Sequence, residues 1–357
     1  MNKTKIDWAD YTWNPVTGCL HDCSYCYARK QSLRFTGDMR LNMADPRCEG
    51  DKEKGLYILR KPFVTRNGRS ISYPFGFAPT LHEYRLDWPG DIKNGTNIFV
   101  CSMADLFGEW VSNEWIERVF NSCEKYPQHN YMFLTKNPGR FKDFFLAQKL
   151  HIADSMWFGF SIEDQHALNK LAMGARWLPQ NTFISIEPIH GPVDLTRIEP
   201  DGKDAYLNFL NGGQYWFMGG DDKGKKLKWV IVGAETGNRR GKVIPEREWI
   251  TSIVKQCQAA GVPVFMKESL RELMGNDFIQ MFPNELNRHS MSRKLKGKLY
   301  TRCSICKQEH KKSDMMALLA REKRGAGAKA LGYACMPCFE RLKSWLESDK
   351  PMEVQIE

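Results

Sequence analysis

The sequence predicts an α/β fold: a parallel sheet of alternating strands and helices, followed by a small cysteine-bearing C-terminal domain. Three observations predict it. Short apolar runs without alternation recur between Asn97 and Met266, as strands buried on both faces require. Helix-like segments separate most of these runs, which suits parallel pairing. Two CxxC pairs then stand outside that rhythm, beyond residue 290, dividing the chain into 1–290 and 291–357. A length of 357 residues is ample for a large core and an accessory one.

In chain order, residues 6–15 are rich in β-favouring aromatics and break at Asn14-Pro15, as a first strand feeding a loop would. The loop is Gly18-Cys19-Leu20-His21-Asp22-Cys23-Ser24-Tyr25-Cys26-Tyr27, and residues 28–34 read as a short helix after it. Residues 39–89 are rich in Gly, Pro and charge, and predict an irregular insertion with one short extended piece at 73–77, held to an edge by Pro74. The strand runs follow at Ile98-Phe99-Val100, Tyr131-Met132-Phe133-Leu134, Trp157-Phe158-Gly159-Phe160, Phe183-Ile184-Ser185-Ile186, Trp229-Val230-Ile231-Val232 and Val262-Pro263-Val264-Phe265-Met266. Between them, Ser112 or Asn113 caps a helix whose Trp115, Ile116, Val119 and Phe120 share one face. Pro245 opens another that carries Trp249, Ile250 and Ile253, and Gly261 closes it. From 200 to 228 the rhythm lapses; paired glycines around Gln214-Tyr215-Trp216-Phe217-Met218 and a charged turn at 221–228 predict a surface hairpin.

Polar residues follow each strand run immediately: Cys101-Ser102-Met103-Ala104-Asp105, Thr135-Lys136, Ser161-Ile162-Glu163, Glu187-Pro188, Gly233-Ala234-Glu235 and Lys267-Glu268-Ser269. In a barrel of alternating strands and helices that end is the mouth where sites are built, so six such clusters in register predict a ligand-lined rim.

Eleven cysteines in a chain with a charged N-terminus and no apolar run of membrane-spanning length point to a cytoplasmic protein that uses thiols for metals rather than disulfides. Seven lie in CxxxCxxC or CxxC spacings, whereas Cys48, Cys101, Cys123 and Cys257 are scattered singly. The trio Cys19, Cys23 and Cys26 is one short of a closed zinc site. Three thiols suit an iron-sulfur cluster with one iron open to a small molecule; the competing reading is zinc completed by His21 or a distant Cys.

These motifs, above all Asp10-Tyr11-Thr12-Trp13-Asn14-Pro15 with its cysteines, Gly159-Phe160-Ser161-Ile162-Glu163-Asp164-Gln165 and Ile186-Glu187-Pro188-Ile189-His190-Gly191-Pro192, resemble an uncharacterised phage and bacterial family carrying a three-cysteine motif. Its layout is similar to that of radical S-adenosylmethionine (SAM) enzymes and, among them, spore photoproduct lyase. The resemblance implies a partial (β/α) barrel of the radical SAM type with a 4Fe-4S cluster on Cys19, Cys23 and Cys26 and SAM on the fourth iron. It implies a radical enzyme fed by an external electron donor such as a flavodoxin, and not which substrate it acts on; the three-thiol loop, the polar rim and the basic tail together favour a lyase or a modifier acting on nucleic acid or nucleobases. By position it places Ser102 and Asp105 near the methionine moiety, Thr135 and Lys136 near its carboxylate, and Ser161 and Glu163 at the ribose, with Glu187 on the rim and Glu235 after the strand that resembles the adenine-edge motif. Each of these residues equally suits a capping or loop-ordering role. Cys101, at the mouth, is a candidate hydrogen-atom donor; a buried structural thiol is the plainer reading.

Outside the resemblance, Cys303, Cys306, Cys335 and Cys338 form two CxxC knuckles 28 residues apart, the donor set of a structural zinc site. Residues 291–357 hold 15 Lys and Arg against 8 Asp and Glu, +7 of the chain's +10. Such a domain suits contact with nucleic acid, or a protein partner, or simply a solvated basic surface. A terminal helix is expected at 339–346. A non-catalytic metal-containing binding protein remains the other class open to this sequence.

Overall fold

The six apolar runs fold as adjacent parallel strands in chain order, because each is too apolar to leave a face in water. The structure, a computed structural model, describes residues 1–65, 67–146, 150–216, 221–223 and 226–286, and beyond them the backbone of strands at 300–302, 309–311, 315–320 and 329–335.

The chain opens with β1 (Asn2–Lys3), β2 (Tyr11–Trp13) and β3 (Val16–Thr17), then α1 (Tyr27–Arg34) and α2 (Met39–Met43). The insertion holds β4 (Tyr57–Leu59), β5 (Phe63–Val64), β6 (Ser70–Ile71) and β7 (Thr80–His82). Then come β8 (Asn97–Val100), α3 (Asn113–Lys125), β9 (Asn130–Thr135), α4 (Phe141–Leu146), β10 (Met156–Ile162), α5 (Gln165–Ala175) and β11 (Thr182–Ile186). After β12 (Ala205–Asn208), β13 (Gly213–Trp216) and β14 (Asp221–Lys223), the unit ends with β15 (Trp229–Val232), α6 (Arg247–Ala259), β16 (Val264–Met266) and α7 (Arg271–Met274). The main sheet runs β1-β2-β8-β9-β10-β11-β15-β16, parallel throughout except for β1.

Alternate residues divide the faces. Val100, Phe133, Phe158, Ile184 and Val232 join a buried layer with the helices, where Phe120 of α3 stacks on Phe133 at 5.0 Å and Phe133 on Phe158 at 5.2 Å. The opposite face curls on itself. Phe99 of β8 and Trp229 of β15 are four strands apart, about 19 Å in a flat sheet. The single ring of Trp8 nevertheless lies 4.6 Å from Phe99, 6.3 Å from Phe183 and 6.3 Å from Trp229. The Glu268 amide, just past β16, also donates to Asp7 Oδ2, just before β2, at 2.8 Å. The sheet is therefore a partial barrel with an aromatic interior.

Local capping follows the sequence at α3, where Ser112 Oγ accepts from the Trp115 amide at 3.3 Å. Gly261, at φ +67, follows the C-cap of α6. That helix starts later than Pro245 suggested: Glu246 is its N-cap and Pro245 precedes it. The first strand is shorter than 6–15, since Asp7 and Trp8 form a turn. Residues 73–77 hold no strand and 74–77 form turns; Pro74 and the left-handed Gly76 bend the chain, with the Gly76 amide donating to Tyr73 O at 3.2 Å. Extended pairing passes to β7, the centre of a small sheet ordered β3-β7-β4. Nor is the insertion without a core, because Cys48, Tyr57, Leu59, Phe63, Ile71 and Phe75 pack together. The expected hairpin after residue 200 is a three-stranded antiparallel sheet, β12-β13-β14, and 221–223 is its last strand, not a turn.

Residues Ser292–Glu357 form a second compact unit. Its described strands are β17 (Tyr300–Arg302), β18 (Glu309–Lys311), β19 (Met315–Ala320) and β20 (Lys329–Cys335), with β17 antiparallel to β18 and β19 to β20. Cys303, Cys306 and Cys338, the loop at 321–328 and the helix expected at 339–346 lie outside the described residues, as does the side chain of Cys335. Among the described residues no helix is long and apolar enough to cross a membrane.

Candidate functional site

The cysteine loop is anchored before its thiols begin. Thr17 pairs with Thr80 across β3 and β7, the Gly18 amide donates to Met103 O at 2.9 Å, and the Cys19 amide donates to Phe77 O at 3.2 Å. Gly18 sits at φ +89, and a Cβ there would lie 2.2 Å from Ala78 O, so only glycine fits. Further on, the Cys26 amide donates to Cys23 O at 3.1 Å, and Cys26 serves as N-cap of α1, its Sγ accepting from the Arg29 amide at 3.4 Å. Arg29 also pairs with Asp22, at 2.8 Å, across the turn at Ser24 and Tyr25 between the second and third cysteines.

Cys19, Cys23 and Cys26 are all free and half-buried. Burial pushes the Cys19 thiol up to about 12 and raises that of Cys23. His21 Nε2 is 2.7 Å from Asp105 Oδ2. Among the described residues, no three Cys, His, Asp or Glu side chains converge as the ligands of one metal ion do. Three thiolates leave one iron of a 4Fe-4S cube without a protein ligand, so the donor set is one such a cluster can use.

The thiols open onto a cavity of about 390 Å³ inside the barrel mouth. Because the strands are parallel, the predicted rim assembles there: Cys101, Ser102 and Asp105 after β8, Thr135 and Lys136 at the end of β9, Ser161 on β10, and Glu187 and Glu235 beyond β11 and β15 all line it. Glu163 is not in the lining; it reaches the site through an ion pair with Lys136 Nζ. Burial, with Asp164 adding to it, pushes Glu163 up to about 7, and burial lowers Lys136. Lys136 Nζ also lies 5.6 Å from the Tyr25 ring centre, which joins the pair to the cysteine loop.

A second pair, Lys267 with Glu187, spans the ends of β16 and β11. Gly233 makes room for it, since a Cβ there would lie 2.9 Å from Lys267 Cδ. Glu235 is held bidentately by Arg239 at 2.6 and 2.7 Å, and these hydrogen bonds lower its pKa.

Three of the predicted residues carry loop-ordering bonds. Asp105 Oδ1 accepts from the Phe107 amide at 3.0 Å, and Oδ2 from the Lys136 amide at 2.8 Å in addition to His21. Ser102 Oγ donates to Asn14 Oδ1 at 3.2 Å, and Thr135 Oγ1 accepts from the Asn137 amide at 2.8 Å. Cys101 is 2 % exposed, and its backbone is left-handed at φ +58.

Sequence reasoning missed Asn14, which looks like a mere strand breaker yet holds the turn after β8 by accepting from Ser102 Oγ and from the Met103 amide at 2.9 Å. It also missed Trp8 and Ser185, which line the cavity from a turn and from a strand interior where no motif marks them.

A family described as "Protein of unknown function (DUF5131)" matches residues 3–304. No curated protein matches. Among solved structures, a spore photoproduct lyase complexed with dinucleoside spore photoproduct is 13% identical, covering 79% of this chain and 78% of that one at a TM-score of 0.39. A mutant of spore photoproduct lyase with a cysteine replaced is 12% identical over the same shares, at a TM-score of 0.37. Similarity this distant says nothing about the reaction.

Proposed function

The chain belongs to the DUF5131 family of unknown function, and on that premise we propose that it is a radical SAM enzyme acting on a nucleic acid or nucleobase. The observation that carries this reading is the placement of three free, half-buried thiols, Cys19, Cys23 and Cys26, against a barrel-mouth cavity of about 390 Å³. When bound, a 4Fe-4S cluster on those thiols and SAM supply reductive cleavage of SAM and, with it, a hydrogen-abstracting 5′-deoxyadenosyl radical.

The chain's own residues bind and orient. Cys19, Cys23 and Cys26 hold the cluster, while Gly18, His21 and Asp105 keep their loop against the sheet. Lys136 with Glu163 and Lys267 with Glu187 set opposite charges side by side on the rim, which suits the charged amino-acid end of SAM. Ser161 and Glu235 are left for its nucleoside part. The aromatic barrel interior below keeps water away from the reacting atoms. The electron comes from an external donor protein.

The nucleic-acid reading draws support from the C-terminal unit, where +7 of the chain's +10 is concentrated. Cys303, Cys306, Cys335 and Cys338 are proposed to hold a structural zinc there.

The test is anaerobic reconstitution with iron and sulfide, followed by addition of SAM and a strong reductant. About four irons per chain and release of 5′-deoxyadenosine are expected. Zinc alone at the amino-terminal trio, or a cluster that releases no 5′-deoxyadenosine, would leave a non-catalytic metalloprotein instead.

A further inference from the structure

The stretch from α1 through α2 is folded inside out. Its fully buried residues are Ala28, Ser32, Thr36 and Asn42, three of them polar. The backbone satisfies these three: Ser32 Oγ donates to Arg29 O at 3.0 Å, Thr36 Oγ1 to Ser32 O at 2.8 Å, and Asn42 Nδ2 to Thr36 O and to Pro74 O at 2.9 Å each. The large apolar residues lie outside instead, with Leu33 56 % exposed, Phe35 45 %, Met39 40 % and Leu41 71 %. Leu33 and Met39 also converge, since a Cβ on Gly76 would lie 3.3 Å from Leu33 Cδ2 and 3.1 Å from Met39 Sδ. Apolar side chains scattered singly over a surface need no explanation, but a grouped set marks a face that another molecule covers.

Charge says what covers it. Lys30, Arg34 and Arg40 are exposed on the same stretch and form no ion pair among the described residues, whereas its one acid after the cysteine loop, Asp38, is taken up in capping α2 through the Arg40 and Leu41 amides. A basic patch selects an acidic partner. A second copy of the chain carries +10 and residues 291–357 carry +7, so neither complements it. Nucleic acid has the right sign, but aliphatic Leu33, Met39 and Leu41 offer its bases no ring to stack on, while Met, Phe and Arg are what protein interfaces gather. Position narrows the partner further. Cys26 is the N-cap of α1, and eight residues of helix at about 1.5 Å each put Leu33 and Arg34 about 12 Å along the axis from that thiol.

We propose that the face made by α1 and α2 is the docking surface of an acidic electron-carrier protein. One electron passes from the carrier, which is oxidised, to the iron held by Cys19, Cys23 and Cys26, which is reduced, and on to the sulfonium of SAM, whose carbon–sulfur bond then breaks. A small patch of apolar and basic groups suits the encounters of electron-transfer pairs, which have small interfaces. This rests on the radical SAM reading above and deepens it by naming where the reductant docks.

The probe is a flavodoxin, an acidic carrier, and its affinity is measured by calorimetry on the full chain, both metal-free and reconstituted. Arg34→Glu tests the charge and Leu41→Ser the apolar contact, while Lys255→Glu, exposed on α6, repeats the change of net charge elsewhere. Each of the first two is expected to weaken flavodoxin binding about tenfold and the control by less than about twofold. Binding to the parent should also weaken as salt rises. Flavodoxin-driven release of 5′-deoxyadenosine falls with the affinity, whereas iron content and release driven by dithionite, a small reductant that needs no docking face, stay at the parent's level. Equal flavodoxin affinity in the parent and both variants, no flavodoxin binding to the parent, or a control effect as large as that of Arg34→Glu would each overturn the docking face. So would a single-stranded oligonucleotide that loses affinity in the two variants while flavodoxin keeps it, or a parent dimer that Leu41→Ser dissociates. If dithionite releases no 5′-deoxyadenosine the radical chemistry fails, and affinity for the metal-free chain still decides the docking face.

Discussion

His21 and Asp105 are joined through Nε2 and Oδ2 at 2.7 Å, a contact that ties the cysteine loop to the end of β8. The same carboxylate accepts from the backbone amides of Phe107 and Lys136, so one buried side chain holds three segments of the mouth in register.

Asp105→Asn tests that linkage. Asparagine has one acceptor oxygen where the aspartate has two, and its amide must point at one of the three donors. A loss of about 2–3 kcal/mol in urea denaturation is expected, the cost of a buried donor left facing a donor. Iron bound per chain after reconstitution should fall with it. Full iron loading in the variant would mean that the loop holds its shape without this anchor.

Gly18→Ala attacks the loop from the other side. The new methyl would meet Ala78 O, and an L-residue would have to adopt φ +89. Backbone cannot yield as a flexible side-chain tip can, so a cost of about 2 kcal/mol or more is expected. The insertion's separate core predicts that the protein still folds. Circular dichroism close to the parent's, with little iron retained, is the expected pair of results; normal iron content would show that the loop can shift away from β7.

His82 makes stability depend on pH. It is fully buried on β7, with Nε2 2.8 Å from Thr17 Oγ1 and Nδ1 3.4 Å from Tyr84 OH. Burial first, and the Arg85 cation second, push its pKa well below the ordinary histidine value. Folded protein thus keeps the ring neutral while the unfolded chain takes up a proton below about pH 6.5. The contribution is whole above that pH and is lost as pH falls. Between pH 7.5 and 5.5 it amounts to about 1.4 kcal/mol. His82→Gln should flatten this part of the pH profile measured by urea denaturation; an unchanged slope would place the dependence on other groups.

Much of the scaffold was legible because it rests on one repeated physical demand. A strand buried on both faces must be apolar throughout, so the runs from Ile98 to Met266 announced themselves, and parallel pairing then placed Lys136, Glu187 and Lys267 at one end. What could not be read depends on contacts distant in sequence. The pairing of β3 with β7 joins residues over 60 positions apart, and Thr80-Leu81-His82 has no pattern that predicts it. The acceptor role of Asn14 likewise exists only once the sheet has curled.

Cys101 poses the most direct chemical question at the mouth. Its amide donates to Trp13 O at 2.7 Å and its carbonyl accepts from the Ala104 amide at 3.0 Å, which fixes the left-handed turn at φ +58. That backbone costs an L-residue about 1–2 kcal/mol, so the position is held by its surroundings rather than by preference. Burial pushes the thiol up to about 12, leaving a neutral S–H beside the cavity at physiological pH. Only a neutral thiol has a hydrogen atom to give to a carbon radical, so the environment suits a donor as well as it suits a core cysteine. Cys101→Ala separates the two. Removing the sulfur should cost about 1 kcal/mol of stability and leave iron content and SAM cleavage intact, since the residue holds neither. If the thiol returns hydrogen to substrate, the variant's products shift toward species quenched by solvent or reductant, and deuterium from the exchangeable thiol no longer enters product. An identical product pattern and isotope content in parent and variant would assign Cys101 to packing alone.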